Sequence, residues 1–129
     1  MTPEKKKKVA RLLGLPVTDN STEEAVYNQV DNLLKQTEFK TGKYQGLSPV
    51  EVFNRYADMK ENLLHIKDLV KQALTHSVYR LRPSGKIYEG EFEVAKDEDD
   101  LIKTLADDDN QDMLLTLEGK LKTKKLAAL

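Results

Sequence analysis

The chain has 129 residues, 39% hydrophobic and 33% charged, with 21 Lys and Arg against 22 Asp and Glu and a formal net charge of -1. That length builds one compact domain, or one with a helical extension, and excludes two full domains. The balanced charge excludes binding to nucleic acid or anionic membrane by bulk charge, leaving only local patches for such roles.

Cysteine is absent, so disulfides, thiolate metal sites and a cysteine nucleophile are excluded. Lys5 to Lys8 begin like an export signal. The apolar stretch Val9 to Leu15 is short, however, and is interrupted by Arg11, so no signal peptide is expected. No stretch approaches the roughly 18 apolar residues of a membrane span, and a cytoplasmic protein is the expectation.

Thr2-Pro3 reads as an N-cap with proline at the first helical position, and Gly14 stands where a left-handed C-cap is wanted, which predicts a helix over about Pro3 to Leu13. Ser21-Thr22-Glu23-Glu24 has the form of a capping box with Ser21 as the cap. Val26, Val30, Leu33 and Leu34 then give a second helix one apolar face, running to about Thr37. The two helices are expected to pack through Leu12, Leu13 and Leu15. Residues 39–47 contain Gly42 and Gly46, follow neither periodicity, and read as a linker.

Ser48-Pro49-Val50-Glu51 starts a third helix, predicted over 48–76. Val52, Tyr56, Met59, Leu63, Ile66, Val70 and Ala73 follow at alternating spacings of four and three, the 3.5-residue repeat of a helix packed lengthwise on another. That seam would run about 30 Å at 1.5 Å per residue. The second helix is shorter, so a partner chain is expected to cover the remainder.

From Val78 the pattern turns to strands. Pro83-Ser84-Gly85 suits a type I turn ending in a left-handed glycine, which pairs Leu81 with Ile87 and Tyr79 with Glu89. In that register Phe92 and Val94 face away from Ile87, and a bulge at Gly90 is expected to return them inward. Asp97 caps a short helix containing Leu101, Ile102 and Leu105. Asp107 to Asp112 forms a polar turn, and Met113 to Leu121 reads as a final strand from Leu115, Leu117 and Leu121.

Between Asp97 and Asp112 eight acids stand against Lys103, a local charge of -7. Asp108, Asn110 and Asp112 resemble the opening of a calcium loop. Met113 and Gly119 occupy the places of the required glycine and bidentate glutamate, so the segment reads as a solvated helix start and turn. His65 and His76 are too far apart to share a metal across one helical turn. No nucleophile elbow or phosphate-binding glycine loop is present. No enzymatic activity, metal or cofactor is expected.

Arg80, Arg82, Lys86 and Tyr88 share one face of the predicted hairpin, with the bases and aromatic that a nucleic-acid platform uses. Residues 85–92 resemble the core of a MORN repeat, although that fold needs tandem copies and one is present. Leu12-Leu13-Gly14-Leu15-Pro16 and the capped helix after it, residues 12–34, are similar to a helical segment of Mu-like phage prohead protease and scaffold proteins. The resemblance implies a phage or mobile-element assembly setting, and a prohead or virion location if the origin is a phage. It transfers no catalytic residue, because the protease portion has no counterpart here.

These observations predict an α+β fold: N-terminal helices including a long heptad-patterned helix, then a small antiparallel sheet with one short helix. The expected organisation is a helical pair over 1–38, a linker over 39–47, the long helix over 48–76 and a β-rich region over 77–129. The expected function is non-enzymatic protein–protein interaction or assembly, with itself or another protein, through Val52, Tyr56, Met59, Leu63, Ile66 and Val70. The alternative is a small nucleic-acid-associated regulator acting through Arg80, Arg82, Lys86 and Tyr88.

Overall fold

The computed structural model describes residues 1–127. Among them the α-helices are α1 (Pro3–Leu12), α2 (Glu23–Leu34), α3 (Pro49–Ala57), α4 (Glu61–Thr75), α5 (Glu98–Ala106) and α6 (Gln111–Ala127). The strands β1 (Arg80–Leu81), β2 (Ile87–Glu89) and β3 (Phe92–Ala95) form one antiparallel sheet in the order β1-β2-β3. The fold is α+β, with helices first and a small sheet after them. The chain divides into two compact units, Met1–Leu64 and the chain from His65 onward, so the division falls inside α4.

In the first unit, capping residues set the helix starts. Thr2 Oγ1 accepts the Lys5 amide at 3.2 Å, and Ser48 Oγ accepts the Glu51 amide at 3.4 Å, each ahead of a proline whose missing N–H costs the helix nothing. The cap of α2 is Thr22, one residue later than expected. Its hydroxyl accepts the Ala25 amide, while Ser21 Oγ takes the Thr18 amide in the preceding turn. Val9, Leu13, Leu33, Phe39, Val52, Tyr56 and Leu64 form one core cluster, and Ala10, Val17, Val26 and Val30 form a second.

Residues 39–47 are not a spacer. Phe39 is buried, its amide and carbonyl bond to Leu47 and Gly46, and the Tyr44 hydroxyl meets that of Tyr56. Two aromatics supply the apolar surface that holds this loop against the core, a contribution that helix and strand periodicities do not register.

The long helix expected over 48–76 is two helices. α3 ends at Ala57, with Asp58 as its C-cap, and α4 starts at Glu61. No glycine or proline lies between them. The Ala57 carbonyl, which a continuous helix would offer to the Glu61 amide, instead accepts the Lys5 ammonium at 2.7 Å. A cation at the C-terminal carbonyls also complements the helix dipole.

In the second unit, Ile66, Leu69, Val70, Ala73, Tyr79, Ile87, Leu101, Leu105, Leu117 and Leu121 form a continuous core. The Pro83-Ser84-Gly85 turn has the expected form. Gly85 takes φ +91°, Arg82 N–H donates to the Lys86 carbonyl at 2.9 Å, and Leu81 pairs with Ile87. The bulge lies elsewhere: the register shifts opposite Ile87 and Tyr88, leaving Val94 as the extra residue, and Gly90 serves the β2–β3 turn at φ +60°. Asp97 caps α5 as expected, its Oδ1 accepting the Asp100 amide at 2.7 Å.

The strand expected over Met113 to Leu121 is helix α6, so within the region expected to be β-rich, 77–129, the described residues from Glu98 onward are mostly helical, and residues 128–129 lie outside the described residues. Leu114, Leu117 and Leu121, at spacings of three and four, face the core, whereas Leu115 is 63% exposed. The alternation of Leu115 and Leu117 is incidental to the helical period that buries the others. Gly119 lies within α6, exposed, with open space where a Cβ would stand. Replacing Gly119 with Ala should raise unfolding free energy by about 0.5–1 kcal/mol, as expected for an exposed helix-interior glycine. Urea denaturation checks this, and destabilisation would contradict a helix at this position.

Candidate functional site

The predicted interface residues are committed to the chain's own packing. Val52 and Tyr56 lie in the first unit's core with Leu64, and Met59 packs half-buried against the same cluster. Ile66 and Val70 belong to the second unit's core, and Leu63 is half-buried. The seam is thus divided between two cores and does not form one uncovered stripe. The lysines at 5–8 are all half-buried: Lys5 bonds Ala57, Lys7 bonds the Asp19 carbonyl at 3.0 Å, and the Lys6 ammonium lies 5.7 Å from the centre of the Tyr27 ring.

Arg80, Arg82, Lys86 and Tyr88 do come together on the outward face of the sheet. Arg80 lies directly opposite Tyr88, and the Arg82 guanidinium stacks 4.1 Å from the centre of the Tyr88 ring. The face is not purely basic. Glu93 lies opposite Tyr88 on the other side, and its carboxylate pairs with Lys86 at 3.3 Å. Glu89 pairs with Lys120 of α6 at 2.6 Å. Of the three bases on this face, Lys86 is paired with a carboxylate of the sheet.

Sequence reasoning missed the exposed apolar residues of the sheet. Phe92, expected inward, is 81% exposed on edge strand β3, and Leu81 is 51% exposed on edge strand β1. Both lie on the same face as Ile87 in the pairing, but beyond the part that the helices cover. The available signal was the flanking of each by like charges, Arg80 and Arg82 around Leu81, Glu91 and Glu93 around Phe92.

Much of the acidic segment forms local structure. Asp97 and Asp107 cap helical turns, and Asp100 accepts the Lys96 amide. Among the described residues, no group of three or more His, Asp and Glu is placed to hold a metal. His65 Nε2 meets Glu118 at 3.1 Å, linking α4 to α6, and Asp68, 1% exposed, accepts the Gln72 amide group at 2.8 Å. No described helix is long and apolar enough to cross a membrane. No family model, curated protein or solved structure matches the chain.

Burial raises the Tyr79 phenol above its ordinary value near 10, with the Glu89 carboxylate adding to the effect. The unfolded chain ionises this group first. Its contribution to stability is therefore full below about pH 10 and is lost as pH rises through the raised folded value. Tyr79→Phe should lose less stability than wild type across that alkaline range, as measured by urea midpoints against pH. Parallel profiles would contradict the coupling.

Proposed function

We propose that the protein is a non-enzymatic interaction module that associates with copies of itself. The observation that carries this reading is the exposure of Phe92 and Leu81 on the two edge strands of a three-stranded sheet. Unpaired strand edges template pairing with another chain, and folded proteins usually blunt or cover them. Ile66, Val70 and Ala73 of the seam belong to the core that also holds Ile87 and Ala95 of the sheet. The similarity of residues 12–34 to phage scaffold segments favours an assembly setting, in a cytoplasm or a prohead.

A second reading rests on the clustering of Arg80, Arg82, Lys86 and Tyr88, which suits a nucleic-acid strand that stacks on Tyr88 and contacts the bases through its phosphates. The partial neutralisation by Glu93 makes it the weaker of the two. If it holds, fluorescence anisotropy with single-stranded DNA or RNA at low salt should detect binding, and Arg82→Ala should lower the salt slope by about one unit. Absence of binding at low salt removes this reading.

Self-association is tested by multi-angle light scattering over a concentration series. The mass should rise above the 14.7 kDa of one chain as concentration increases. A mass fixed at one chain up to about millimolar protein, the weakest range of a specific interaction, would contradict the proposal.

A further inference from the structure

We infer that the two edges of the sheet are complementary to each other, and that β1 of one copy adds to β3 of the next, giving a head-to-tail assembly. This deepens the self-association proposed above by naming its surface, and it rests on that reading.

Arg80-Leu81-Arg82 occupies one edge and Glu91-Phe92-Glu93 the other, and all six residues are exposed. Each triplet places an apolar residue between two like charges, and the charges on the two edges are opposite. The pairing observed within the sheet fixes the faces. Leu81 lies opposite Ile87, and Phe92 lies opposite Glu89, two residues along β2 from Ile87, so both apolar residues are on the core side. Arg80 and Glu93 both lie opposite Tyr88, which puts them on the outward side, and strand alternation sends Arg82 and Glu91 the same way.

In a three-stranded antiparallel sheet β1 and β3 run the same way, so a second copy that keeps its core side on the same face brings its β1 parallel to β3. Setting Leu81 beside Phe92 then puts Arg80 beside Glu91 and Arg82 beside Glu93. Apolar meets apolar on one face and cation meets anion on the other, the pairings that stabilise neighbouring strands. The competing symmetric pairings fail on charge. Centred on Phe92, β3 against β3 opposes Glu91 to Glu93; centred on Leu81, β1 against β1 opposes Arg80 to Arg82.

The existing contacts of these charges are compatible with the pairing. Lys86 and Glu93 are both about half exposed, and such pairs contribute little and exchange readily. Arg82 lies over the Tyr88 ring, a contact that occupies none of its N–H groups with a carboxylate acceptor. A contact between unlike surfaces leaves one free edge at each end, so growth passes beyond a dimer to a ring or an open filament.

The test uses two charge-reversed variants of the full chain, Arg80→Glu with Arg82→Glu and Glu91→Lys with Glu93→Lys, each checked for folding by circular dichroism. Alone, each has two edges of one sign and should associate at least about tenfold more weakly than wild type, as expected when two cross-strand ion pairs become repulsive. Mixed in equal amounts, they should co-assemble to species larger than a dimer by sedimentation velocity. Phe92→Ser, a change at an exposed position, should keep its fold and also weaken association about tenfold.

Recovery in the mixture together with the Phe92→Ser loss supports edge-to-edge addition. If wild type associates and neither reversed variant nor Phe92→Ser alters it, the edge assignment is overturned while self-association stands. If wild type remains a single chain throughout, both are overturned. If the two variants are folded and weakened alone but do not rescue each other, the edge assignment is overturned.

Discussion

The end of α3 at Ala57 is the constraint on which the arrangement of the central helices depends. The Met59 amide turns back to the Tyr56 carbonyl, the Ala57 carbonyl accepts the Lys5 ammonium, and α4 begins anew at Glu61. The apolar repeat from Val52 to Ala73 is thereby cut. Its first part, with Leu64, completes the packing of the helical unit, and its second part, from Ile66, underlies the sheet and α5 and α6 in the other. A repeat that would have specified a helix–helix interface becomes two separate cores.

A three-stranded sheet with short edges has few ways to finish its hydrogen bonding, and this one exposes Leu81 and Phe92 at its borders. The charged residues around them have two physical consequences. They discourage pairing of like edges, which is how sheet proteins avoid indiscriminate aggregation, and by their opposite signs they favour pairing of unlike edges. Within the sheet the same charges are partly satisfied, Glu93 by Lys86 and Arg82 by the Tyr88 ring, which also diminishes the hairpin's electrostatic attraction for phosphate.

Elements governed by local chemistry were legible in the sequence. Thr2-Pro3, Ser48-Pro49 and Asp97 cap helices where expected, and Pro83-Ser84-Gly85 fixes the hairpin register. Elements decided by distant contacts were not. The end of α3 carries no glycine or proline, and the lysine that bonds its terminal carbonyl is 52 residues away. In α6, Gly119 lowers helix propensity and the leucines fit both periods in part, so only burial of Leu114, Leu117 and Leu121 selects the helix. The clustering of Arg80, Arg82, Lys86 and Tyr88 was legible because a hairpin register is local, whereas the exposure of Phe92 was not, because how far along the sheet the helices reach is set by packing distant in sequence.

Amide hydrogen exchange across residues 49–75 tests the division of the seam most directly. The Glu61, Asn62 and Leu63 amides stand in the first turn of α4, where no preceding helical carbonyl reaches them, and should exchange far faster than those of Ile66 to Ala73. The α3 amides from Phe53 to Ala57 should form a separate protected run. Protection at Glu61 to Leu63 equal to that at Val70 would mean one continuous helix carrying an undivided seam, and would contradict the account.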